Sequence, residues 1–319
     1  MPPFIPDKKV VHNFHGLSTL RPTFTVMEFA APGEQGQRLA IACEGWEIEY
    51  TVWSTENLTQ SEIPVVVAFH GFARPLEDMR SAHRAWPNPH AMISIHLPHH
   101  GGSRPLPESG PDDRAIEPRV FNRIIDTIII NQVPNAGKRT LLGYSIGGRV
   151  ALALLVDRPE SWQHVVLLAP DGLKQSPFYA VTVHTRLGRL AWFWIDRHEQ
   201  LVQKWSDALL EWGFISKHLN GFIYFHSSSH AMRMMVWKGW RSHRACWPSH
   251  EAIKAALEQV PNADFIFGEF DKIIPTRNAK RIRRMTQNLT NVTFQTVQSG
   301  HNLLKPETMD AVVRCIFES

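Results

Sequence analysis

The chain has 319 residues, 43% hydrophobic and 20% charged, with a net charge of +4. That balance fits one large folded unit or a folded unit with an insertion; it excludes disorder and the strong basic surplus of a nucleic-acid binder. Three cysteines (Cys43, Cys246, Cys315) exclude a disulfide framework, Met1–Asp7 lacks a basic-then-apolar leader and no apolar run is long enough to span a bilayer, so a cytoplasmic setting is expected.

Residues 1–20 show no period and are expected to form an arm. Thr23–Ala30 and Arg38–Trp53 are strand-like, with Pro32-Gly33 as the turn between them. Ile63–Gly71 is a continuous apolar run, as for a strand covered on both faces. Pro75–Trp86 predicts a helix and Ala91–Leu97 a strand. The apolar helix Val120–Ile130 follows Pro118, and strand Arg139–Tyr144 and helix Gly147–Val156 flank Ser145. His164–Ala169 is a further buried strand.

From Asp171 to about Val260 this rhythm stops. Helical patterns cover Arg186–His198, Leu201–Trp212, Ala231–Trp240 and His250–Gln259, and seven of the eleven tryptophans fall in this stretch. Strands resume at Phe265–Phe267 and Val292–Val297, with helix Thr276–Gln287 between them and helix Pro306–Phe317 at the end. Alternating strands and helices predict a mostly parallel sheet flanked by helices. The expected organisation is a core of residues 21–170 and 261–319 with an inserted helical cap at 171–260. Between Arg186 and Arg244 nine Arg and Lys face four Asp and Glu. That surplus is read as solvated helix faces, the alternative being attraction of an anionic substrate or surface.

Gly143-Tyr144-Ser145-Ile146-Gly147-Gly148 places a serine between strand and helix. Small residues at Gly143 and Gly147 allow the two to approach, and the helix N-terminus offers N–H groups to developing negative charge. A serine hydroxyl needs a base to take its proton and a third group to hold that base. Asp271 follows a buried strand in Gly268-Glu269-Phe270-Asp271-Lys272-Ile273-Ile274-Pro275, and His301 follows the last strand in Ser299-Gly300-His301-Asn302. Asp171, just after the preceding strand, is the rival acid. His96-Leu97-Pro98-His99-His100 and His226–His230 look like metal ligands but lack convergent carboxylates or cysteines, so no metal and no cofactor are expected.

With Phe69-His70-Gly71-Phe72 added, these motifs resemble the α/β-hydrolase superfamily, specifically its lid-bearing serine hydrolases, over residues 38–319. The resemblance implies a triad of Ser145, His301 and Asp271. It implies an oxyanion hole from the N–H groups of Phe72 and Ile146, with His70 shaping the loop beside Gly71. A serine at the nucleophile position excludes the epoxide-hydrolase and haloalkane-dehalogenase branches. The implied activity is hydrolysis of a carboxylic ester of a small, largely apolar substrate. Thioester hydrolysis, C–C bond hydrolysis, acyl transfer and non-turnover binding of a small molecule are the alternatives. Most of the cap tryptophans are expected to build the cap's own core. The stretch His96–Ser103 departs from the family's Asp-x-Pro-Gly-x-Gly-x-Ser, with His96 for the acid and His99 for the first glycine, which puts the shape of that loop in question. Arg74 is read as facing solvent, the alternative being a pocket cation.

Overall fold

A computed structural model describes residues 23–26, 36–54, 62–74, 76–87, 89–215, 217–227 and 229–318. Its ten strands are β1 (Thr23–Val26), β2 (Gln37–Cys43), β3 (Trp46–Ser54), β4 (Ile63–Phe69), β5 (Ala91–Ile95), β6 (Arg104–Pro105), β7 (Ala136–Tyr144), β8 (His164–Leu168), β9 (Asn262–Gly268) and β10 (Val292–Val297). The core helices before the insertion are α1 (Met79–Ala85), α2 (Pro118–Gln132) and α3 (Ile146–Asp157). Within the insertion come α4 (Pro177–His184), α5 (Arg186–Arg197), α6 (Glu199–Glu211), α7 (Lys217–Ser227) and α8 (His230–Ser242). After it come α9 (His250–Leu257), α10 (Lys280–Met285) and α11 (Pro306–Phe317).

The apolar run Ile63–Phe69 becomes the centre of the sheet, whose order is β1-β2-β3-β5-β4-β7-β8-β9-β10, with β6 paired to β3. From β5 to β10 every pairing is parallel; β1 to β3 and the β3–β5 pair are antiparallel. Period-two alternation divides the core. Val65, Val67 and Phe69 point into the cluster that holds Phe121 and Ile124 of α2, Val150 and Leu154 of α3, and Ile253 and Leu257 of α9. Val66 and Ala68 point into the opposite cluster with Met79 of α1 and Val312 of α11. Pro64 cannot donate to a ladder, and the β4–β7 register shifts across it, at the strand's first residues.

The connection from β4 leads to β5 on one side, whereas the connection from β5 returns to β7 on the other. The crevice where the order reverses lies beyond the C-terminal ends of β4 and β7, the usual ligand position in such sheets. The loop at His70 and the serine at 145 follow those two ends.

Several expectations are corrected. Arg38–Trp53 is two strands, β2 and β3, joined through Glu44 and Gly45 at φ 54° and 76°. That is the positive-φ pair of a tight hairpin, in which a single glycine suffices. Helices α4 and α7 and the short strand β6 were not anticipated. The expected 171–260 insertion includes α9, yet Ile253, Ala256 and Leu257 lie in the sheet's own core cluster. The expected arm at 1–20, the turn at Pro32-Gly33, the last residues of the strand at 23–30 and Pro75 lie outside the described residues. No described helix is long and apolar enough to cross a membrane.

The cap's own cluster is small: Trp192, Val236 and Trp237, with Met234, Trp240 and Phe72 against it. The expectation that most of the cap tryptophans build it is not met: Trp192, Trp237 and Trp240 do so, and Trp247 packs on Arg149 instead. Trp194, Trp205 and Trp212 are 51–63% exposed. Helix α8 is fastened to the core by Lys238–Asp112 and Arg241–Asp113 ion pairs and by the Ile116 N–H donating to the Ser242 carbonyl at 2.9 Å. Part of the basic surplus is therefore consumed in holding the cap down.

Candidate active site

Ser145 leaves β7 with φ 55° and ψ −119° and is followed at once by α3. A non-glycine residue held there costs on the order of 1–3 kcal/mol, so the surroundings must enforce it. The Ser145 N–H donates to the Leu168 carbonyl at 3.0 Å, and its own carbonyl accepts from Gly148 and Asp171 N–H groups at 2.9 Å each. A Cβ on Gly147 would lie 2.3 Å from the Phe69 carbonyl oxygen, and one on Gly143 would lie 2.6 Å from the Gly147 oxygen. Both glycines are thus required by close backbone approach.

His301 and Asp271 come from the two loops after β10 and β9. These loops are laced together: the Glu269 N–H donates to the Val297 carbonyl at 2.9 Å and the Phe270 N–H to the Ser299 carbonyl at 3.0 Å. His301 Nε2 lies 3.1 Å from Ser145 Oγ, and its Nδ1 lies 2.7 Å from Asp271 Oδ2. The other Asp271 oxygen accepts the N–H groups of Ile273 and Ile274 at 2.8 and 2.9 Å. Burial opposes ionisation of this carboxyl, but His301 and the two N–H donors outweigh it and hold Asp271 below the usual carboxylate range. With Nδ1–H committed to the carboxylate, Nε2 is left to accept the serine proton. The rival acid is elsewhere engaged: Asp171 accepts from the Gly172 N–H at 2.7 Å and faces Arg149 Nε at 3.4 Å.

The loop after β4 is set by two neutral histidines. His70 donates Nδ1–H to the Gly71 carbonyl at 2.7 Å and accepts the Leu97 N–H at 3.1 Å. His100 donates to the Pro98 carbonyl at 3.1 Å and accepts the N–H of Ala73, which stands at φ 53°, at 3.1 Å. Burial, aided by neighbouring histidines, pushes His70 well below its ordinary pKa and His100 down to about 4. Gly71, Phe72 and Ala73 are held between them, and Phe72 touches the cap cluster. Ile146 opens α3, where an N–H has no acceptor inside the helix. The Arg74 side chain is 39% exposed, in keeping with the solvent-facing expectation, and pairs with Asp78.

The departures at 96–103 are compensated from the next strand. Glu49 of β3 accepts His96 Nδ1–H at 2.7 Å, the Gly102 N–H at 2.6 Å and a two-point contact from Arg38. Despite burial, those partners bring the Glu49 carboxyl down to about 2. His99 takes φ 65°, the conformation a glycine would supply, and bonds Ser242 of the cap at 3.0 Å. Here a carboxylate across the ladder does the work expected of one within the loop.

Sequence reading missed three residues that position this site. One is His100, noted only as a metal-ligand lookalike, and a second is Glu49. The third is Tyr144, whose hydroxyl donates to the His301 carbonyl at 3.1 Å. Tyr144 stands inside the Gly-x-Ser-x-Gly motif, and that adjacency was the available signal. His96, His99 and His100 are spent on Glu49, Ser242 and Ala73, and His230 on Asp196; the His226 side chain lies outside the described residues. Among the described residues no three His, Cys, Asp or Glu side chains form a metal-ligand set.

The same architecture recurs among solved structures. A thermophilic esterase from Thermogutta terrifontis is 18% identical with a TM-score of 0.57, over 88% of this chain and 97% of that one. Carboxylesterase CesB from Bacillus subtilis is 12% identical with a TM-score of 0.54, over 89% and 93%. The thioesterase domain from the curacin biosynthetic pathway is 15% identical with a TM-score of 0.54, over 88% and 99%. At these identities the likeness is one of fold. No sequence among curated proteins matches the chain. The family model for the alpha/beta hydrolase family matches residues 65–314, from the central strand through both acid- and histidine-bearing loops. A central strand, a serine elbow and those two loops in this order are the family's frame, and the chain belongs to the alpha/beta hydrolase family.

Proposed function

We propose that the protein is a serine hydrolase that cleaves carboxylic esters of small, largely apolar substrates through an acyl-enzyme on Ser145. The observation that carries this reading is the continuous series Ser145 Oγ, His301, Asp271, at 3.1 and 2.7 Å. His301 Nε2 takes the serine proton as Oγ attacks the ester carbonyl, and Asp271 stabilises the imidazolium formed. The N–H groups of Ile146 and Phe72 receive the tetrahedral oxyanion; such a donor is worth about 10²–10³ in rate. The imidazolium then protonates the departing alkoxide, and water activated by His301 releases the acid and restores Oγ–H.

The apolar preference rests on the cap. Trp192, Trp237 and Trp240 pack with Phe72, one of the two proposed oxyanion residues, so the reacting carbonyl lies next to an aromatic wall. Esterases among the fold's solved members support the ester reading. Thioester and C–C bond hydrolysis run through the same nucleophile.

The test is hydrolysis of p-nitrophenyl esters from acetate to laurate. Wild type is expected to turn over the series with a chain-length optimum, and Ser145→Ala to lose activity by about 10⁴ or more. Asp271→Asn is expected to lose about 10³–10⁴, since the imidazole would be held in the wrong tautomer. Ester hydrolysis that survives intact in Ser145→Ala would refute the proposal.

A further inference from the structure

Two cap helices carry more apolar surface than the other described residues cover. On α5, Gly188 and Trp192 are buried, yet Leu187, Leu190, Ala191 and Trp194 follow at i, i+3, i+4 and i+7 along a neighbouring, exposed stripe. On α6 and its C-terminal cap residue, Leu201, Trp205, Ala208 and Trp212 recur at i, i+4, i+7 and i+11, a second single stripe. The large side chains of both stripes are 44–76% exposed. The stripes meet at the turn, where the Trp194 ring stacks on His198 with centroids 4.6 Å apart and Leu201 follows within one helical turn. Phe214, just past α6, adds a further exposed ring. Contiguous apolar surface of this kind marks an interaction site rather than ordinary exposure.

The charges on the same helices are sorted. Asp196 and Glu199 turn inward onto buried Arg233, and Asp207 accepts from Asn220 and Tyr224 of α7. Arg186, Arg189, Arg197 and Lys204 are exposed and join no ion pair among the described residues. By helical position Arg186 and Arg197 border the α5 stripe, and Lys204 borders the α6 stripe. Glu211 is exposed too and by helical position lies on the same flank of the α6 stripe as Lys204, and the Glu199 side chain keeps 39% of its surface exposed. At least three exposed cations therefore stand against one exposed acid that is unpaired among the described residues. Tryptophan and leucine edged with unpaired cations match a bilayer interface, whose boundary takes amphipathic rings while its headgroups take positive charge. A second copy fits less well, because isologous pairing would set this cationic patch against itself.

We infer that the α5–α6 face docks reversibly on a membrane surface bearing anionic headgroups. Trp194, Trp205 and Trp212 enter the headgroup–acyl boundary, and the bordering Arg and Lys lie against the headgroup anions. The inference does not depend on the chemistry proposed for Ser145.

Co-flotation with vesicles tests it, using phosphatidylcholine alone and an equimolar mixture with phosphatidylserine at low salt. The full-length protein is expected to float with the mixed vesicles, to stay down with phosphatidylcholine alone, and to be released by high salt. Trp194→Ser/Trp205→Ser/Trp212→Ser is expected to bind at least about tenfold more weakly while keeping its circular dichroism and thermal transition. Arg186→Gln and Lys204→Gln should each weaken binding about fivefold. The inference fails if wild type ignores the mixed vesicles, if it floats equally on phosphatidylcholine alone, or if the folded triple variant floats as wild type does. It also fails if wild type is a dimer that the triple variant converts to monomer without any vesicle binding.

Discussion

Ser145 sits in a backbone conformation that only its neighbours make tenable, and three kinds of contact hold it there. The Leu168 and Asp171 backbones bond it from the adjacent strand end, Gly143 and Gly147 allow the approach, and Tyr144 reaches from the preceding position to the His301 carbonyl. Tyr144 acts by positioning. Tyr144→Phe is expected to lower kcat about fivefold with KM nearly unchanged, the loss of one hydrogen bond that aligns the base, as steady-state kinetics would show. Gly147→Ala is expected to yield little folded protein, since its Cβ would meet backbone at 2.3 Å that no rotamer can vacate. The three proposed catalytic side chains were legible in the sequence because each follows a strand-like apolar run within a few residues, with Gly143, Gly268 and Gly300 close before them. Tyr144, His100 and Glu49 were not. They act on backbone groups or across the ladder, and no spacing along the chain announces such a contact.

At the scale of elements, α3 does more than carry the serine. Its Arg149 is fully buried, with its guanidinium 4.9 Å from the Tyr179 ring centroid and 4.6 Å from that of Trp247, and Asp171 beside it. Tyr179 lies on α4 near the start of the insertion and Trp247 in the segment before α9, so one side chain ties both ends of the cap to the helix that follows Ser145. Arg149→Ala is expected to cost about 3 kcal/mol in urea unfolding, through lost packing between two rings and a carboxylate left without its cation. The same reasoning explains where sequence patterns succeeded. Fully buried strands such as Ile63–Phe69 read plainly because apolar residues occupy both faces. The β2–β3 hairpin was hidden by a turn with a single glycine, and the end of the cap by α9, whose helical period is the same whether it packs on cap or core.

Across the whole molecule, buried histidines set the response to acid. Burial brings His90 and His100 down to about 4 and holds His70 and His243 well below their ordinary value. Their folded-state pKa values lie below the unfolded value near 6.5, so the stability they contribute is complete above that pH and declines as pH falls below it, for His90 and His100 down to about 4. Each of His90 and His100 is expected to remove on the order of 2 kcal/mol by about pH 5. Thermal unfolding followed by circular dichroism should therefore show the melting temperature dropping steeply below about pH 6.5, with His90→Gln flattening that limb. Glu49 acts lower. Its carboxyl, at about 2 in the folded chain, contributes stability that is complete above about 4.5 and fades as pH falls toward 2, so Glu49→Gln should lose most at neutral pH and least near pH 2.

The most direct test of the central claim is labelling with a fluorophosphonate probe, the modified peptide being located by mass spectrometry. Covalent modification at Ser145, abolished in Ser145→Ala and strongly slowed in His301→Gln, is the predicted result. A folded wild-type protein that takes up no probe at Ser145, or takes it up equally well without His301, would contradict an activated serine in this site.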